Sequence, residues 1–129
     1  MAQNQNQVTG AAGEAFTMNY LRGERFSILA QNFRTQRGEV DIIAQRENVI
    51  AFVEVKTRQS RQVSLHGLIS PAKQRKIILA AKQFIGQMLP QKDLLFRFDV
   101  ALLHYEKETG QHDLEYISNA FGESNEPTY

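Results

Sequence analysis

The chain contains no cysteine and no tryptophan, and only three of its 129 residues are proline. Without cysteine there are no disulfides and no thiolate metal sites, which suits a reducing cytoplasm. No apolar run approaches the roughly 20 residues needed to span a bilayer. Residues 1–7 form a polar Gln/Asn stretch with neither the basic start nor the apolar centre of a signal peptide. Acids are missing from one long region: residues 55–92 hold eight Lys/Arg and no Asp or Glu. The chain has no Walker loop, no dinucleotide-binding glycine pattern and no nucleophile-elbow serine. His66, His104 and His112 are too scattered to suggest a metal-ligand spacing.

What is present is an ordinary globular composition, 42% hydrophobic and 22% charged, of a size that one core serves. A single domain over 8–121 is expected, with 1–7 and 122–129 as flexible tails. The net charge of +1 conceals an uneven distribution. Residues 1–54 carry a net −1, 55–92 a net +8 and 93–129 a net −6. A one-sign block of that size attracts polyanions even in a near-neutral protein. The plainer alternative is a solvated helix face with loop charges.

Thr9 can cap a helix over about 10–22, closed by Gly23, with Glu14 in its early turns. Residues 26–34 read as a strand, and 38–46 and 49–58 as a β-hairpin about Glu47-Asn48. Residues 59–69 read as a loop. Ser70-Pro71 then announces a helix running to about Leu89 and stopped by Pro90. Strands are expected at 94–104 and 114–118. This order predicts an α/β domain whose central sheet is flanked by helices.

Several acids stand where apolar residues belong. Strict alternation puts Ile50, Phe52, Glu54, Lys56 and Arg58 on one face of their strand, with Val49, Ala51, Val53 and Val55 on the other. The same rule puts Glu39 and Ile43 on one side of Asp41's strand and Val40 and Ile42 on the opposite side. Asp41 and Glu54 would then meet near a core, where unpaired carboxylates cost several kcal/mol each and repel one another. A divalent cation relieves both. Mg²⁺ takes hard oxygen ligands, typically one or two carboxylates with substrate phosphate; Mn²⁺ is an alternative. The Val55 carbonyl could add a third oxygen. Lys56, two residues from Glu54 on the same face, is positioned to orient a water or stabilise charge on a phosphate. The competing reading is an exposed sheet face on which Lys56 simply neutralises Glu54 or Asp41.

Glu14 falls in a helical stripe with Ala11, Ala15, Met18 and Leu21, which would aim it at the sheet to complete the metal site directly or through water. Its alternative role is to stabilise the helix start. Lys73, near a helix N-terminus that favours phosphate, is a candidate contact to the scissile strand, or else an ordinary solvated lysine. Glu39, Arg58, Gln74 and Lys76 are candidate supporting or DNA contacts. Asp99, in Arg97-Phe-Asp, reads better as part of a structural ion pair.

Four segments together, Gly-Ala-Ala-Gly-Glu-Ala (10–15), Gly-Glu-Val-Asp-Ile-Ile-Ala (38–44), Phe-Val-Glu-Val-Lys-Thr-Arg (52–58) and Arg-Phe-Asp-Val (97–100), closely resemble the YraN-like family. That family comprises bacterial proteins predicted to be endonucleases of the PD-(D/E)XK, restriction-endonuclease-like superfamily. The resemblance spans about residues 8–104. It implies a mixed four- to five-stranded central sheet flanked by helices, similar to archaeal Holliday junction resolvases. The superfamily's metal-binding acids fall on Asp41 and Glu54, its lysine on Lys56, its helical acid on Glu14, and its position on the following helix on Lys73 or Gln74. The chain departs from the pattern at Val40, where a proline often precedes the aspartate.

Two function classes are therefore carried forward, with a third behind them. One is a Mg²⁺-dependent endonuclease acting on double-stranded or branched DNA, with a homodimer expected by analogy with resolvases that cut two strands. The next is a nucleic-acid-binding module that keeps the fold without cleaving. The last is a protein-interaction domain whose charges are surface pairs.

Overall fold

The computed structural model describes residues 5–58, 69–88 and 93–123. Residues 59–68 of the expected 59–69 loop, including His66, the Pro90 helix stop and the outermost tail residues 1–4 and 124–129 lie outside the described residues. The element order is α1 (Gln5–Gly23), β1 (Ser27–Arg34), β2 (Glu39–Arg46), β3 (Val49–Arg58), α2 (Pro71–Gln87), β4 (Leu95–Tyr105) and β5 (His112–Phe121). All five strands form one sheet in chain order, β1-β2-β3-β4-β5. The β3–β4 pair is parallel and the other three are antiparallel. A parallel neighbour requires a crossover, and α2 is part of that connection. The fold is thus a mixed α/β sheet with two helices, consistent with a restriction-endonuclease-like core. No helix among the described residues is long and apolar enough to cross a membrane.

Each face of the sheet has its own apolar cluster, set by the period-two alternation of β3 and β4. On the front, Ile50, Phe52, Val100 and Leu102 pack with Ile77, Ala80 and Ala81 of α2. Phe52 lies at the centre, 5.5 Å from the Phe98 ring and 6.1 Å from that of Phe84. On the back, Ile42, Ala44, Ala51, Val53 and Ala101 pack with Leu21 of α1 and Phe26.

The helix starts differ in an informative way. Ser70 caps α2 as expected: its hydroxyl accepts from the Lys73 N–H at 3.1 Å, and Pro71 opens the helix. Helix α1, by contrast, begins at Gln5, so Thr9 lies within it rather than capping it. Residues 5–8 contain neither glycine nor proline, and nothing there forces a later start. Strand β5 is also longer than expected, reaching Phe121.

The contact stripe of α1 differs from the one expected from Ala11, Ala15, Met18 and Leu21. Gly13, Thr17 and Leu21 are buried, whereas Ala11 and Ala15 are exposed. A Cβ on Gly13 would sit 2.9 Å from Thr57 Oγ1, so the glycine is what lets helix and sheet approach. Thr17 is fully buried there because its hydroxyl donates back to the Gly13 carbonyl at 2.8 Å. Close approach outweighed side-chain apolarity. Glu14 therefore flanks the contact instead of lying in its middle.

Candidate active site

Alternation fails at one place in β2, and the candidate site forms there. Val40 and Ile43 both belong to the front cluster, while Ile42 belongs to the back one. The face assignment made from strict alternation around Asp41 is thus corrected: Val40 and Ile42 do not share a side. The β2–β3 pairing runs from Arg46↔Val49 to Ile42↔Val53 and stops one residue short of Asp41. Opposite, in β1, Asn32 takes a left-handed φ of 53°. With the ladder open, the Asp41 carboxylate takes over its role: Oδ2 accepts from the Val55 N–H at 2.8 Å. This contact satisfies a backbone donor that strand pairing leaves free.

Glu54 projects from the front face of β3 and is only 4% exposed. Its Oε2 faces Lys56 Nζ at 3.6 Å and Lys73 Nζ at 3.8 Å, charge contacts too long to be good hydrogen bonds. Its Oε1 is buried with no hydrogen-bond partner. Burial pushes the Glu54 carboxyl up to about 7, the neighbouring Asp41 carboxyl pushes in the same direction, and Lys73 and then Lys56 oppose the rise. The structure therefore brings Asp41, Glu54, Lys56 and Lys73 together from β2, β3 and the first turn of α2.

The remaining sequence-derived candidates are placed as follows. Glu14 Oε1 accepts from Gln31 Nε2 of β1 at 3.3 Å. Among the described residues, no three acids or histidines are grouped so that they could hold one ion, so Glu14 does not join Asp41 and Glu54 in such a cluster. Gln74 spends its amide on the Ile69 carbonyl at 3.0 Å, which fixes the entry into α2. Arg58, half-buried, donates to the Thr57 carbonyl at 3.2 Å. Glu39 pairs with Arg34 at 3.2 Å. Lys76 is exposed and lines a cleft with Lys73, Arg34 and Arg37. Neither arginine stands out in the sequence as a site residue. Their signal is the turn they flank, whose Gly38 lies three residues before Asp41.

Whether the residues suit a divalent ion can be judged from Glu54. A buried carboxylate with an unmatched oxygen, facing a second carboxylate, is an unfavourable arrangement for apoprotein charges alone. It is a suitable donor set for a hard cation, which needs only one or two carboxylates when water and phosphate supply the rest.

A two-helix, five-stranded mixed α/β domain with two acids and two lysines converging where β2 parts from β3 is the class that fold and site define. The chain belongs to the uncharacterised protein family UPF0102, the YraN-like family, whose model matches residues 13–103. It is 39% identical over 120 residues to a UPF0102 protein of Geotalea daltonii, covering 92% of this chain and 93% of that one. It is 43% identical over 115 residues to one of Thermosynechococcus vestitus, covering 87% and 92%. A third, from Clostridium perfringens, is 33% identical over 117 residues, covering 90% and 95%. The family match includes Glu14, Asp41, Glu54, Lys56, Lys73 and Asp99, and ends before β5.

Proposed function

We propose that this chain is a metal-dependent endonuclease of the PD-(D/E)XK superfamily, hydrolysing phosphodiester bonds in double-stranded or branched DNA. The observation that carries this reading is Glu54 Oε1, buried without a partner beside Asp41 and in front of two lysines. Asp41 and Glu54 would hold Mg²⁺, or Mn²⁺ in its place, with Glu14 contributing through water. When bound, the cation supplies Lewis-acid polarisation of a phosphate oxygen and acidification of water.

The chain's own groups do the rest. Asp41 Oδ2 is held by the Val55 N–H, which fixes this carboxylate beside Glu54. Lys56 orients the attacking water, and Lys73 offsets charge growing on the phosphate oxygens. Their contacts with Glu54 are loose, so neither must break a short hydrogen bond to act. The reading includes a cytoplasmic location and, by analogy with resolvases, a homodimer that cuts two strands.

The test is a cleavage panel of linear, nicked, flapped, single-stranded and four-way DNA with Mg²⁺ or Mn²⁺. Cleavage by the parent chain, lost in Asp41→Asn and Glu54→Gln, is the expected result. Equal cutting by parent and variants would overturn the assignment. Salt-sensitive binding that ignores Mg²⁺, with no cutting of any substrate, would establish the non-cleaving alternative.

A further inference from the structure

A second feature adjoins the carboxylate pair and was not part of the site as read from sequence. The β1–β2 turn and the first turns of α2 enclose a cleft of about 390 Å³. Among the described residues its charged lining is Arg34, Arg37, Lys73 and Lys76 with one acid, Glu39, which pairs with Arg34. The walls are held at a set spacing. A Cβ on Gly38 would run into the Lys76 carbonyl, so only glycine lets the turn lie against the helix. The turn is itself cross-braced: the Thr35 hydroxyl donates to the Gly38 carbonyl and accepts from the Arg37 and Gly38 N–H groups. Lys73 belongs to both places, lining the cleft while its Nζ faces Glu54.

We infer that this cleft grips the phosphodiester backbone of the nucleic acid next to the bond being cut, without reading bases. The inference rests on the nuclease reading for its position and on the cleft for its chemistry. Four cations against one acid, a net +3, favour a polyanion. Among the described residues no aromatic side chain lines the cleft, so these offer no stacking platform for unpaired bases. Of the exposed aromatics, Phe16 and Tyr20 belong to α1 on the other face of the sheet, and Phe96 of β4 packs beside Phe52 and does not line the cleft. Phosphate contacts position a duplex without specifying its sequence.

The experiment is fluorescence anisotropy with two labelled duplexes of unrelated sequence, without divalent ion, over a range of salt. The protein is the full chain, repeated in an Asp41→Asn background so that binding is scored apart from cleavage. Arg37→Ala/Lys76→Ala alters two exposed side chains, and its folding is checked by circular dichroism. Its affinity for both duplexes is expected to fall about ten-fold or more, and its salt slope to shrink by roughly two, near one per lost phosphate contact. The control pair Arg22→Ala/Lys107→Ala removes the same charge elsewhere and should stay within about two-fold of the parent. The inference is overturned if the parent binds neither duplex, if the control pair loses as much, or if the cleft pair loses nothing. Discrimination between the duplexes of ten-fold or more would also overturn it. Absence of cleavage with the binding pattern intact would remove the nuclease reading and leave the backbone cleft standing.

Discussion

Asp99 and Glu54 are buried in adjacent strands, one register step apart, and the protein treats them in opposite ways. Asp99 pairs with Val53 and Glu54 with Val100, so the two carboxylates leave opposite faces of the sheet. Asp99, fully buried, is matched on every side. Arg97 Nε donates to both of its oxygens at 3.1 and 3.0 Å, the Tyr116 hydroxyl to Oδ2 at 2.6 Å, and the Asn119 N–H to Oδ1 at 2.8 Å. Glu54 has two distant lysines, a neighbouring acid and one orphaned oxygen. Both arrangements use a local break in strand pairing. A shift between Phe98 and Val100 accompanies the left-handed Asn119 that reaches Asp99, just as the open end of β2–β3 lets Asp41 reach Val55. The lesson is that burial alone does not distinguish structure from chemistry. A carboxylate whose lone pairs are filled holds the fold together, and one whose lone pairs are empty is a candidate for a ligand.

The contrast should be greatest in stability. Asp99→Ala strands Arg97, Tyr116 and the Asn119 N–H and is expected to cost about 3–5 kcal/mol in urea denaturation. Glu54→Gln should cost nothing at pH 8 without divalent ion, and is expected to stabilise. The same sign for both would break the comparison.

In catalysis the order reverses. Glu54→Gln and Asp41→Asn are each expected to lower cleavage by about 10²–10³, as loss of a preorganised charge does, with melting temperatures at or above the parent's. Their catalytic loss appearing only together with unfolding would assign Glu54 to the structural class.

The pH response sharpens the comparison. Because folding raises the Glu54 carboxyl from 4.5 to about 7, the folded state holds a proton that the unfolded chain releases. The Glu54 contribution to stability without divalent ion should therefore be most favourable below pH 4.5, fall between 4.5 and 7, and lie about 3 kcal/mol lower above it. The difference between parent and Glu54→Gln in denaturant titrations at several pH values isolates this contribution. A flat difference curve would contradict the unfilled-carboxylate account.

Smaller effects follow around the site. Gly38→Ala forces the turn away from Lys76 and should cost about 1–3 kcal/mol, read as a lower melting temperature together with weaker DNA binding. Glu14→Gln, acting through water, should lower cleavage only about ten-fold. A loss as large as that of Asp41→Asn would make Glu14 a direct ligand.

Much of this was legible in the sequence because it depends on local repetition. The alternation of β3 placed Glu54 and Lys56 with Phe52, and Ser70-Pro71 marked the start of α2. What eluded it were departures from repetition. Asp41 interrupts the alternation of β2, so a period-two rule sorted Val40 and Ile42 together when they part. The α1 stripe differs from expectation because the helical spacing of apolar residues cannot register that Gly13 and Thr17 allow closer contact than Ala11 and Ala15.

The sequence by itself determined which chemical groups exist and on which elements they ride: acids on two adjoining strands, a lysine two residues from one of them, and a basic helix after the turn. Local propensity and periodicity act over a few residues, which is why that much can be read without coordinates. Only the tertiary structure decided which of the carboxylates would be left unfilled. Saturation of Asp99 depends on Tyr116 and Asn119, 17 and 20 residues away. That Glu54 Oε1 is left without a partner depends on where β2 leaves β3 and how α2 settles against Gly38. Those distances are set by packing across the sheet, and no local pattern encodes them.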